Sequence, residues 1–135
     1  MNACKNCGQE PRRSFYTYCS NFCQNEYQYR AYIESWKKGV ESGTRGVSTS
    51  VLSRHLRRYL VEKYGEKCSV CKWAKRHQMT QRVPLEVDHQ DGNAENNSEK
   101  NLRLICPNCH ALTSNFRNLN KGKGRKWRRE RYVKV

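Results

Sequence analysis

At 135 residues the chain has room for one compact domain or two very small ones. Hydrophobic residues make up only 36% of it and charged residues 29%, so a large apolar core is excluded and a staple such as a metal or a disulfide is expected. The net charge of +15, from 27 Lys+Arg against 12 Asp+Glu, points to a polyanionic partner, and no apolar run reaches the ~18 residues of a membrane span.

Residues 1–38 read as a small zinc finger with its helix. The start carries no hydrophobic run, so no signal peptide is expected, and an intracellular protein is favoured over a secreted disulfide scaffold. Cys4 and Cys7 have knuckle spacing, and Gly8 lets the backbone turn toward a metal. Phe15, Tyr16 and Tyr18 read as strand-like. Residues 18–36 read as a helix, with Ser20 as its cap and Cys23 in its first turn. Knuckle, hairpin and helix together resemble a treble-clef finger. The helix mixes aromatic and basic residues (Tyr27, Tyr29, Arg30, Tyr32, Trp36). Packing is expected of most of them, with nucleic-acid contact as the alternative.

Residues 39–65 read as a glycine-containing linker and a connector helix. Ser48, Thr49 and Ser50 offer its cap, and Leu52, Leu56, Tyr59, Leu60 and Tyr64 share one face. Gly65 is placed to end it. Arg54, Arg57 and Arg58 project elsewhere, either as a solvated face or as contacts to a DNA backbone. Residues 66–120 hold a strand over Pro84–His89, turn chemistry at Asp91-Gly92-Asn93, and a second strand over Leu102–Ile105. A helix opening at Pro107 continues to Arg117. Five of the twelve acids (Glu86, Asp88, Asp91, Glu95, Glu99) lie in this stretch of an otherwise basic protein. Residues 121–135 read as a mobile polycationic tail.

All eight cysteines fall in close pairs: Cys4/Cys7, Cys19/Cys23, Cys68/Cys71 and Cys106/Cys109. Such spacings aim two thiolates at one cation, and two pairs complete a tetrahedral zinc site. Sequence proximity favours Cys4/Cys7 with Cys19/Cys23, and Cys68/Cys71 with Cys106/Cys109. A cross-braced exchange of pairs, disulfides and redox CxxC motifs are the alternatives. The expected class is a small, zinc-stapled α+β protein with two structural Zn²⁺.

His89 in VDHQDGN, Asn101 in NLRL and His110 in CPNCH stand twelve and nine residues apart between the second set of cysteine pairs. In this order they resemble the HNH endonuclease family, over about residues 50–120. The finger more weakly resembles those fused to phage and bacterial HNH nucleases. The resemblance implies two antiparallel strands and a helix around one catalytic divalent metal, Mg²⁺ or Mn²⁺. It implies His89 as general base, Asp88 and His110 as metal ligands, and Asn101 orienting His89 or pinning the loop. Ser114 or Asn115 would be a further ligand, and Arg117 would touch the scissile phosphate. On a regular strand Asp88 and His89 point to opposite sides, so sharing a site needs the local twist known in the family. The residue types suit the chemistry. Phosphodiester hydrolysis needs a base for water and a cation for developing charge, and an ordinary histidine, with a pKa of about 6.5, is largely neutral near pH 7.

The expected function is therefore a metal-dependent DNA endonuclease of phage or mobile-element type, acting on double-stranded DNA. It is expected to be cytoplasmic and without membrane association; the sequence leaves the oligomeric state open, with a monomer favoured. A non-catalytic zinc-finger regulator that binds DNA or RNA explains the charge and the cysteines, but has no use for Asp88, His89 and His110 together. An RNA nuclease would use the same site. DNA contacts are expected from Arg54, Arg57, Arg58, Arg117 and the tail residues Lys121, Lys123, Arg125, Lys126, Arg128 and Arg129. The tail lies far in sequence from Asp88 and His89, so it can serve binding alone. Removing residues 121–135 should weaken DNA binding and flatten its salt dependence by several units, since each lost phosphate contact removes about 0.9 from the slope. Affinities of full-length and truncated protein across a salt series check this.

Overall fold

Helix starts in this chain are set by side-chain oxygens and sulfurs that accept a backbone N–H. The computed structural model describes residues 2–45, 51–116 and 119, within two compact units, Met1–Ser42 and Gly43–Val135. In the first, the Ser20 hydroxyl accepts from the Cys23 N–H at 3.1 Å and opens helix α1, Asn21–Lys37. Tyr29, Ile33 and Trp36 form a buried stripe along it. Tyr29 and Trp36 are thus packing residues, whereas Tyr27 stays at the surface. The strand expected over residues 15–18 is absent. A turn closed by the Tyr16 N–H to the Arg13 carbonyl (3.0 Å) curls the backbone there, and the Lys5 N–H to the Thr17 carbonyl (3.1 Å) ties it to the knuckle.

The second unit begins its helix later than the serine–threonine run implies. Ser53 accepts from the His55 N–H at 3.2 Å and opens α2, Arg54–Tyr64. Residues 48–50 lie outside the described residues, and Leu52, expected on the helix, instead pairs with Thr44 in an isolated antiparallel bridge. The apolar face is as expected, with Leu56 and Leu60 fully buried. At Gly65, φ is +82° and the N–H closes on the Val61 carbonyl at 2.9 Å, ending the helix.

Two short strands follow, β1 (Glu86–His89) and β2 (Leu102–Ile105), paired antiparallel with Asp88 opposite Arg103 and His89 opposite Leu102. β1 starts two residues after Pro84. Proline has no N–H for the ladder, and the Leu85 N–H is turned back to the Val83 carbonyl at 2.8 Å. Leu102, Leu104 and Ile105 from β2 are fully buried, as are Leu56 and Leu60 and the Cys68 side chain. Helix α3 spans only Pro107–Ala111. Its expected continuation stops because the Leu112 and Thr113 N–H groups close tighter bonds to Cys109 and His110, and the Thr113 hydroxyl also donates to the His110 carbonyl at 2.9 Å. No helix among the described residues is long and apolar enough to cross a membrane.

Gly43 locks the helix to the loop that follows β1. Its φ is +85°, and an added Cβ would lie 2.6 Å from Leu56 Cδ1 and 2.9 Å from Asn97 Cβ. Gly43→Ala should therefore lower stability by about 1–3 kcal/mol, through overpacking added to backbone strain. Urea unfolding of the two proteins, compared at equal m-value, measures it.

Candidate functional site

The described residues contain two groups able to hold a metal, Cys4/Cys7/Cys19/Cys23 and Cys68/Cys71/Cys106/Cys109. Within each group every sulfur lies within 4.8 Å of the others. The closest approaches are 3.5 Å for Cys7–Cys19 and Cys19–Cys23, and 3.7 Å for Cys71–Cys106. Zn–S bonds of about 2.3 Å in a tetrahedron place sulfurs roughly 3.8 Å apart, so both sets fit zinc. The pairing is the sequential one, without cross-bracing.

The protons on these thiols follow from local geometry. Burial pushes the Cys4 and Cys68 thiols up, but backbone amides outweigh it and bring each down to about 6. Those amides come from Cys19, Cys7 and Asn6 at Cys4, and from Cys71, Cys106 and Val70 at Cys68. Cys19 is pushed up to about 12, chiefly by Cys23, and Cys109 likewise to about 12, chiefly by Cys106. Each cluster thus pairs an acidic thiol with one that keeps its proton until a cation displaces it.

The second cluster also builds the candidate site. Cys106 caps α3, its sulfur accepting from the Cys109 N–H at 3.4 Å, with Pro107 in the first turn. His110 is the next residue of that helix. Its Nδ1 is hydrogen-bonded to the Glu86 carboxylate on β1, while its Nε2 makes no hydrogen bond among the described residues. Asp88 is 6% exposed and accepts from Arg103 Nε at 2.8 Å through Oδ2. Its Oδ1 has no hydrogen-bond donor among the described residues. The register is regular through Asp88–Arg103 and His89–Leu102, and at His89, the last residue of β1, the chain turns into the loop, its carbonyl accepting from the Gly92 N–H at 2.8 Å.

His89 Nε2 lies 2.7 Å from Asn97 Oδ1. An amide oxygen only accepts, so Nε2 is the donor in this contact. Asn97, 6% exposed, was not among the residues expected from sequence. Asn101 makes no hydrogen bond to His89; it pins the loop. Its Nδ2 donates to Asp91 Oδ1 (2.9 Å) and to the Asn96 carbonyl (2.8 Å), and its Oδ1 accepts from the Asp91 N–H (3.0 Å). Burial pushes the Asp91 carboxyl up, but hydrogen bonds from Asn96, the Asn93 N–H and Asn101 hold it below the usual carboxylate range. Asn115 donates to the Gln90 carbonyl at 3.2 Å, and Ser114 is exposed.

Among the arginines expected to meet DNA, Arg57 is used internally, donating to the Leu85 carbonyl at 2.8 Å. Arg58 pairs with Glu62 at 2.9 Å, and Arg54 is exposed. Arg117, Lys121, Lys123, Arg125, Lys126, Arg128 and Arg129 lie outside the described residues.

Two antiparallel strands running into a helix, a Cys4 cluster at the junction, and His, Asn and His on strand, loop and helix are the arrangement that the HNH resemblance implies. A curated relative bears that resemblance out. Over 100 residues the chain is 31% identical to the H-N-H endonuclease F-TflIV of Escherichia phage T5, a match that takes in 74% of this chain and 40% of the relative. The chain thus spans less than half the length of that relative. No protein-family model and no solved structure matches it.

Metal analysis of the purified protein should return two tightly held zinc ions per chain. Zinc uptake should release protons near neutral pH, because Cys19 and Cys109 hold theirs to about 12, and affinity should fall as pH falls. Cys68→Ser should unfold the second unit, while Cys4→Ser should leave it intact. Proton release on zinc titration, with circular dichroism of each variant, checks these outcomes.

Proposed function

We propose that the chain is an HNH-type endonuclease that hydrolyses phosphodiester bonds in double-stranded DNA, with His89 as general base. The observation that carries this reading is the buried Asp88 carboxylate with one oxygen unpartnered, in a stretch similar to HNH endonucleases. A buried carboxylate oxygen left without a donor is costly unless a cation or a donor meets it. Asp88 through Oδ1 and His110 through Nε2 would hold one divalent cation, Mg²⁺ or Mn²⁺. When bound, that ion supplies the charge that stabilises the leaving oxygen.

The remaining roles belong to the chain itself. Glu86 accepts the Nδ1 proton of His110 and so turns Nε2 outward, the usual arrangement behind a metal-binding histidine. Arg103 holds the other oxygen of Asp88 and fixes its rotamer. Asn97 fixes the His89 tautomer that leaves Nδ1 able to take a proton from water. Asn101 acts at one remove, by holding the loop that carries Asn97. The finger and the basic surface bind the duplex, and the phage origin of the relative favours a phage or mobile-element setting such as homing, packaging or host-DNA degradation.

The test is cleavage of supercoiled plasmid with and without Mg²⁺, beside a single-stranded RNA of equal length. His89→Ala should reduce cutting to background while zinc content, fold and DNA affinity stay at wild-type values. Asn97→Ala should slow turnover by about 10–100-fold, the usual cost of losing a supporting hydrogen bond behind a functional histidine. Wild-type cleavage by His89→Ala would falsify the base assignment. DNA binding without any cutting would favour the zinc-finger regulator instead.

A further inference from the structure

Beside the second zinc cluster is a cleft of ≈ 340 Å³ whose walls include Lys67, Lys72, Lys100 and Arg103, with Tyr64 and Gln90. Four cations face one concavity, and no carboxylate is among its lining residues. Lys67, Lys72 and Lys100 make no ion pair among the described residues. Outside the cleft, Lys63 is matched by Glu99 at 2.7 Å and Lys38 by Glu34 at 2.9 Å, while Lys5 and Lys75 make no ion pair among the described residues; what sets Lys67, Lys72 and Lys100 apart is that they share one concavity. Arg103 joins the cleft to the candidate site. Its Nε holds Asp88, and its two Nη groups make no hydrogen bond among the described residues.

A second observation concerns the backbone at Lys72. The two zinc knuckles have the same hydrogen-bond pattern. In the first, the Gly8 N–H meets the Cys4 carbonyl at 2.9 Å and the Cys4 N–H meets the Gln9 carbonyl at 2.8 Å. In the second, the Lys72 N–H meets the Cys68 carbonyl at 3.0 Å and the Cys68 N–H meets the Trp73 carbonyl at 2.9 Å. The residue after the second cysteine has φ +77° at Gly8 and +68° at Lys72. Glycine adopts this conformation without penalty and an L side chain does not. The second knuckle therefore keeps a strained lysine where the first has the relaxed residue. Lys72 lines the cleft, and its ammonium is held at the knuckle by a bond to the Ser69 carbonyl at 3.1 Å. Strain retained in this way points to a use for the side chain.

We infer that this cleft is a subsite for backbone phosphates of the bound DNA strand, with Lys72 as its positioned anchor beside Lys67 and Lys100. The inference rests on the DNA-binding part of the proposed function and extends it to residues other than the Arg54–Arg58 helix and the tail. Arg103 would set the register between a phosphate in the cleft and the bond beside Asp88. Ammonium groups without carboxylate partners shed counterions as they meet phosphate, so each one contributes to the salt slope.

The experiment uses the full zinc-loaded chain and a fluorescent mixed-sequence duplex, without added Mg²⁺, over a salt series. Lys72→Gly should raise the melting temperature by relieving the knuckle, yet weaken DNA binding and lower the salt slope by about 0.9. Lys67→Gln, Lys72→Gln and Lys100→Gln together should lower the slope by about 2–3. Lys75→Gln, an exposed cation outside the cleft, should change it less than Lys72→Gly does. An unchanged slope in the triple variant, or an equal loss from Lys75→Gln, overturns the subsite. A Lys72→Gly protein that is both more stable and as tight a binder overturns the role given to Lys72. These readings involve no cleavage, so they stand or fall apart from the His89→Ala result.

Discussion

The second unit depends on one tetrahedral constraint, the meeting of Cys68 and Cys71 with Cys106 and Cys109. Six side chains in the whole described structure are fully buried and large, and one of them is Cys68 itself. A core of that size cannot repay the entropy of ordering a loop-rich chain. A Zn²⁺ held by four thiolates contributes about 10–16 kcal/mol of apparent binding energy, which is folding energy when the site exists only in the folded state. The clamp also does geometry. The Ser69 N–H reaches the Leu104 carbonyl at 2.8 Å, so the knuckle continues the edge of β2. Cys106 begins α3, and His110 follows Cys109 directly. A metal held by these four thiolates would thereby set the position of a candidate ligand.

Charge is distributed against the average of the molecule. A chain of net charge +15 places buried Asp88, bonded Glu86 and the Asp91 loop in one small region. Arg103 compensates Asp88 through one oxygen only. The surrounding surface is left with cations that lack carboxylate partners. Such a pattern is unfavourable for an isolated fold, because like charges repel across the surface, and it is relieved by a polyanion. On the proposed reading the acidic site and the basic rim are complementary: one would take a cation, the other the phosphates that the cation would act on.

Much of this was legible in the sequence, for a local reason. Cysteine spacing, Ser20 before a helix, Gly65 after one and the alternation Leu102-Arg103-Leu104 are short-range signals, and the fold obeys them. The misses are of two kinds. Residues 15–18 carry strand-forming side chains, but a turn at Arg13–Tyr16 overrides propensity. The helix from Pro107 ends early because Thr113 bonds back to its carbonyls. The partners Asn97, Glu86 and Arg103 were invisible for a different reason. Each meets its histidine or aspartate across a loop or a strand pair, 8, 24 and 15 residues away. Among several asparagines in NAENNSEKN, only the folded loop decides that Asn97 faces His89 while Asn101 holds Asp91.

On the proposed reading, such partners divide roles between two identical side chains, His89 and His110. Each ring has one nitrogen committed and one left over, and the committed nitrogen differs. At His89 the Nε2 hydrogen goes to a neutral amide oxygen, leaving Nδ1 near the backbone end of the ring. At His110 the Nδ1 hydrogen goes to the Glu86 carboxylate, leaving Nε2 at the far end, where reach is greatest. A carboxylate partner favours a ring that donates electrons to a cation, since it balances the positive charge arriving on the other side. A neutral amide gives direction without that bias, and so suits a ring that must remain uncharged until it takes a proton. Exchanging the partners, with a carboxylate at 97 and an amide at 86, would leave both histidines in place. It would bias His89 toward holding a proton and weaken His110 toward a cation. On the proposed reading, the division of labour between base and ligand lies in Glu86 and Asn97, not in the histidines that the sequence displays.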